Sequence, residues 1–304
     1  MPQKLPILVA TITLGAIVGT MASAAPAASA SPEETLQEVL VTANRAQLVP
    51  RVSKFVARIV VRQNEEGLPR WLEPVCPLVT GLSRQEGEYV LGRISEIATA
   101  AVVPLGGEKC RPNLFILVTS QPRELLQAME KRNRAVTFGD ATPTTVDQFI
   151  ATARPVRVWY NTDMRTPEGI TPSSGLGYAA QVTGGGLGGA RVFNDIDRTS
   201  HILLSKIWVL SSVYVVVDRE RLAGVSRGQF ADYVSMVSLA DIKLGANLGD
   251  SDTILRLFDG EPAAAAAGLS LWDQAFLKSL YTTDQRAKTQ AEVIAKGIVR
   301  AVVH

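Results

Sequence analysis

Histidine is nearly missing from this sequence: His201 and His304 are the only two in 304 residues. No helix can therefore carry a histidine pair four residues apart, the usual hold on a catalytic zinc. An excess of charge of either sign is missing too. The 31 Lys+Arg balance 29 Asp+Glu to a net +2, which predicts neither nucleic acid nor an anionic membrane as partner. Beyond the first thirty residues no run is long and apolar enough to span a bilayer. Ser235 and Ser238 lack a nearby Gly-x-Ser-x-Gly frame, so a serine hydrolase has little support. The run Gly184–Gly189 lacks the Lys-Ser/Thr ending of a phosphate-binding loop and reads as a glycine-rich turn. No cofactor is implied.

Cysteine is scarce, and its two copies are informative. Cys76 and Cys110 form an even pair, which in an oxidising compartment reads as a disulfide. Closing a loop of about 35 residues would stabilise by roughly 3–4 kcal/mol in the chain-entropy model. Two buried free thiols are the alternative. The compartment itself is suggested by residues 1–30. Lys4 is followed by an uncharged apolar stretch, Leu5 to Met21, then by Ala22-Ser23-Ala24 and Ala28-Ser29-Ala30. This is the pattern of a cleavable secretory signal peptide with two candidate cleavage sites. The alternative, an N-terminal membrane anchor, fits less well: Thr11, Thr13, Gly15 and Gly19 dilute a stretch already short of the roughly 20 apolar residues of a span. A periplasmic or secreted mature chain of about 275 residues is expected, with no transmembrane segment once the leader is removed. That length can bury a real core.

Residues 31–47 are polar and are expected to form a flexible arm. A single α+β domain is expected over 48–304, with a subdivision near residue 155 left open. Leu48, Val52, Phe55, Val56 and Ile59 fall at helical spacing. Val75–Val79 and Asn113–Thr119 read as strands, and 84–101 and 122–131 as helices, with Ser83 as N-cap. Strand–helix–strand order predicts two parallel strands joined by a crossover, with one cysteine near the start of each. Further on, 145–153 reads as helix and 157–160 as strand, and 161–190 is a long Gly/Pro/Ser/Thr-rich connection. The stretch 200–217 has β-type runs. Helices follow at 227–242, 270–281 and 285–303, with a helical turn near Ile254 and a linker over 261–268. The fold class predicted is α+β, a mixed sheet with packed helices.

Three resemblances rest on particular phrases. Trp71, Pro74-Val-Cys76-Pro77, Gly81-Leu82 and Cys110-Arg-Pro-Asn113 resemble an uncharacterised exported family of Gram-negative bacteria. The last third runs from a strand ending in VVVD through a buried helix to Gly268-Leu-Ser-Leu-Trp-Asp-Gln-Ala-Phe-Leu-Lys-Ser-Leu-Tyr281. This order resembles the catalytic half of matrixin-like zincin metallopeptidases, whose late helix carries a similar phrase and packs behind the metal helix. The resemblance implies a degenerate member, because the corresponding helix, Gln229 to Asp241, has neither His nor Glu. A zincin needs two His as ligands and a Glu as base on the metal-bound water. Finally, Glu38-Val39-Leu40-Val41-Thr42-Ala43 resembles the TonB box of outer-membrane receptors. That implies an extended segment able to add to a partner's sheet edge, although the chain lacks the many strands of a barrel.

The function expected from these residues is an exported, non-catalytic binding or scaffold protein of the cell envelope, without metal. The alternative is a periplasmic hydrolase using a non-zinc site near the 227–242 helix and the Gly-rich loop, with Asp218, Gln229 and Asp232 as its polar groups; Asp241 could join them. The concave surface beside that helix separates the two: a deep polar pocket with shifted carboxylates favours the enzyme, a filled groove the scaffold.

Overall fold

The computed structural model describes residues 32–61, 67–165, 207–260, 266–285 and 289–303. The expected leader 1–30, the glycine run, His201 and most of the expected 261–268 linker lie outside the described residues. The first element is a helix, α1 Pro32–Ile59, with Pro50 inside it. The expected loose arm is thus helical backbone from Pro32 on, and Glu38–Ala43 are not extended. Pro32 in the first turn suits a helix start. Good helix formers outnumber the β-branched Val39, Val41 and Thr42, and the segment continues a helix already required by Leu48–Ile59. Two units are distinguished, Met1–Leu40 and Val41–His304.

From Val41 onward the chain builds a four-stranded sheet in the order β1-β2-β4-β3. The strands are β1 Pro77–Thr80, β2 Leu114–Thr119, β3 Val156–Arg165 and β4 Ile207–Asp218. β1, β2 and β4 are parallel; β3 is an antiparallel edge strand on β4. The predicted crossover is present: α2 Arg84–Ala100 links β1 to β2. The sheet runs through residue 155 without a break, since β2 before it and β4 after it are direct neighbours.

Local signals explain most boundaries. Ser83 and Glu86 form a reciprocal capping box at the start of α2. α3 Pro122–Phe138 runs past the expected end at Lys131, but Asn133 interrupts it with non-helical φ/ψ. α4 Pro143–Ala151 follows. α5 Arg227–Leu239 is shorter than the expected 227–242 because Ala240 turns extended, φ −146° and ψ 148°. The next residues then form a bridge, Ile242 with Val60. The C-terminal pair is α6 Leu271–Thr282 and α7 Gln290–Val303. They cross closely at Gly297, where any side chain would collide with Ser279 Oγ. Among the described residues no helix is long and apolar enough to cross a membrane.

The sheet is buried on both faces, as parallel strands require. On one face Val213, Val215 and Val217 of β4 join the main core with α2 and α5. On the other, Val216 packs with Leu126, Phe138, Val146 and Ile150 of α3 and α4. α5 lies within the main core, with Gln229 through Leu239 all buried. Cys76 and Cys110 stand at disulfide distance, Cα–Cα 5.9 Å, just before β1 and β2. Gly106 makes room for them: a Cβ there would meet Cys110 Sγ at 2.8 Å.

Candidate functional site

The polar residues singled out on and around α5 have partners of their own. Asp232, 3% exposed, forms a two-point pair with Arg93 of α2: Nε to Oδ1 at 2.5 Å and Nη2 to Oδ2 at 3.2 Å. Its Oδ2 also accepts from the Leu269 amide at 2.7 Å. Burying an aspartate in an apolar helix is tolerated because one guanidinium and one amide satisfy it, and the pair holds the Arg93 proton more tightly than usual. Gln229 closes a capping box with Ser226 and donates to the Ala266 carbonyl. Asp218 caps the turn after β4 and pairs with Arg221 at 3.5 Å. Asp218, Asp232 and Asp241 thus have separate neighbours, and among the described residues no three His, Cys, Asp or Glu gather as a metal set.

Asp273 of α6 is also structural. It accepts from Thr253 Oγ1 at 2.5 Å and from the Ile254 and Ser270 amides at 2.8 and 3.0 Å. Burial still raises its carboxyl to about 6 against the pull of those bonds. Tyr281, from the same helix, donates to the Leu239 carbonyl at 2.6 Å. α6 therefore latches both the segment before it and the end of α5.

Asp241 is different. It follows the break at Ala240 and no hydrogen bond satisfies its carboxylate among the described residues. Burial alone raises it to about 7. It lines a cavity of about 270 Å³ at the outer edge of β3, with Tyr160, Arg154 and Arg157. Tyr160 donates its hydroxyl to the Val237 carbonyl at 2.8 Å, and burial together with Asp241 keeps its proton on. Arg154 donates to the Leu244 carbonyl at 2.9 Å, so it ties the start of β3 to the chain beyond Asp241. Arg157 is 7% exposed, yet among the described residues its Nε and Nη1 have no hydrogen-bond acceptor. Desolvation lowers its pKa, with Asp218 the main opposing charge.

The backbone of this edge follows from the register. The Asp218 amide donates to the Pro155 carbonyl at 2.9 Å, so the hydrogen-bonded pairs are Arg157/Val216 and Trp159/Tyr214. The Val213 amide, opposite Tyr160, points the other way, to Asn113 of the β2 side. The amides and carbonyls of Val156, Val158 and Tyr160 therefore face outward, and among the described residues no strand pairs with them. Val158 and Tyr160 stand on the α5 face, Trp159 on the α4 face; Arg157, which alternates with Val158, shares the face of Trp159.

The sequence reading names Asp241 but misses Arg154, Arg157 and Tyr160. The one available signal is Val156-Arg157-Val158, a charge inside an otherwise apolar strand. No protein-family model, curated protein or solved structure matches this chain.

Proposed function

We propose that this chain is an exported, non-catalytic binding protein of the cell envelope that holds an extended polypeptide segment along the outer edge of β3. The observation that carries the reading is that edge: among the described residues no strand pairs with the outward backbone of Val158 and Tyr160, both half-buried beside a cavity of about 270 Å³. An unpaired edge is a template for strand addition. The pairing of Asp232 also supports a binding role, since its carboxylate is committed to Arg93 and Leu269. A metal-free zincin-like frame is part of the proposal. It is supported by an antiparallel edge strand beside the strand that leads into a buried helix, and by α6 bonding to the end of that helix.

The test replaces Val158 with proline. Its amide points away from β4, so proline removes a free donor and no sheet bond. The expected result is that wild-type protein captures a partner from envelope extracts, that Val158→Pro loses it, and that circular dichroism of the two is the same. Equal capture by both overturns the reading. A hydrolase is the second reading, favoured by Asp241 beside Tyr160 in the cavity. Turnover of ester or peptide substrates that Asp241→Asn abolishes would establish it instead.

A further inference from the structure

We infer that the β3 cleft selects an acidic side chain, placed against Arg157 by a segment running along the strand edge. The inference rests on the edge-docking reading and adds the chemistry of the partner. A guanidinium has five N–H donors and keeps its charge in proteins. In Arg157 two of the donor-bearing nitrogens are buried with no acceptor among the described residues, a costly arrangement in a folded protein. Asp218, the main opposing charge, already serves the Glu220 amide and Arg221. Arg154 lines the same cavity, so the cleft carries two guanidinium groups.

The pleat of the strand specifies the rest. A segment added beside β3 alternates its side chains across the sheet. The residue beside Arg157 falls on the α4 face. Its two neighbours fall on the other face, beside Val156 and Val158, where Ile242 lines the same cavity. Two small apolar side chains suit that surface. Asp241, also on this side, is half-neutral near pH 7, which makes it an acceptor or donor rather than a fixed repelling charge. The preferred segment is extended and reads apolar–acidic–apolar.

The probes are a fluorescein-labelled capped peptide, Lys-Thr-Val-Glu-Val-Thr-Lys, and its twin with Gln for Glu, titrated into the purified protein by fluorescence anisotropy. The Glu peptide is expected to bind at least tenfold more tightly. Arg157→Gln should bring the Glu peptide down to the level of its twin, Arg157→Lys should keep part of the difference, and Val158→Pro should weaken both peptides alike. Since removing a buried arginine can disturb the strand, the wild-type protein supplies a second readout: the Arg157 side-chain Nε–Hε resonance should shift with the Glu peptide and stay in place with the Gln peptide. Equal binding of both peptides, with both lost in Val158→Pro, overturns the acidic selection and leaves the edge reading standing. No binding of either peptide overturns the selection as well, and the edge reading then stands or falls on the extract capture.

Discussion

Asp241 shows how a single carboxyl can cost stability that its fold has no internal reason to spend. Its folded pKa of about 7 lies well above the 3.8 of an ordinary aspartate. A carboxyl raised in this way favours the native state only while it is protonated. Its contribution is intact below about pH 4 and is lost as pH rises through 7. The full shift corresponds to an upper bound of about 4 kcal/mol, and solvent relaxation in an open cavity reduces it to the order of 2 kcal/mol. Asp241→Asn should therefore be more stable than wild type at pH 8 and equal to it at pH 4, measured by urea unfolding. A variant that loses stability at pH 8 would show that an ionised Asp241 is held by a partner. Asp273 titrates near 6 by the same cause, but its four hydrogen bonds make it a fastening, and its slope is shared by both proteins in the comparison.

At the level of elements, α2 ends in a turn with the wrong residue in it. Val103 and Val102 donate to the carbonyls of Ala98 and Thr99, the two bonds of a Schellman motif. That places Val102 at φ 64°, a left-handed conformation that a β-branched side chain adopts only under strain. Val102 is 63% exposed and has little packing to lose. Val102→Gly should stabilise by about 0.5–1 kcal/mol, after the greater freedom of glycine in the unfolded chain is subtracted. Thermal melting should rise by roughly 1–3 °C; a fall would mean that Val102 makes a contact worth more than its strain. The same helix separates what a sequence discloses from what it withholds. Ser83 and Glu86 are three residues apart, so the cap at the start of α2 is legible locally. Arg93 is not legible as the partner of Asp232, because 139 residues separate them and only the packing of α2 on α5 brings them together. Arg157 is invisible for a related reason: its significance is the lack of an acceptor, which no local pattern encodes. In α1 the local signal misleads, since the β propensity of Val39–Thr42 is overridden by the helix on its C-terminal side.

At the level of the whole molecule, the disulfide and the sheet act on the same place. Cys76 and Cys110 fasten the entry points of β1 and β2, whose pairing is only four residues long. The bond should be complete in exported protein, with no thiol labelled by alkylating agent before reduction. Replacing both cysteines by serine should cost roughly 3–4 kcal/mol, read by urea unfolding, and a loss under 1 kcal/mol would show that the short β1–β2 ladder holds without it. The order β1-β2-β4-β3 has a consequence in time. A chain emerging N-terminus first, from a ribosome or through a translocation pore, presents β1 and β2 long before β4, the strand that joins them to β3. Until residue 218 is out, β2 lacks its central neighbour and the apolar faces of α2 and α3 have only half a sheet to cover. The nascent protein therefore spends most of its synthesis unfinished, and it commits to its native topology only near the end.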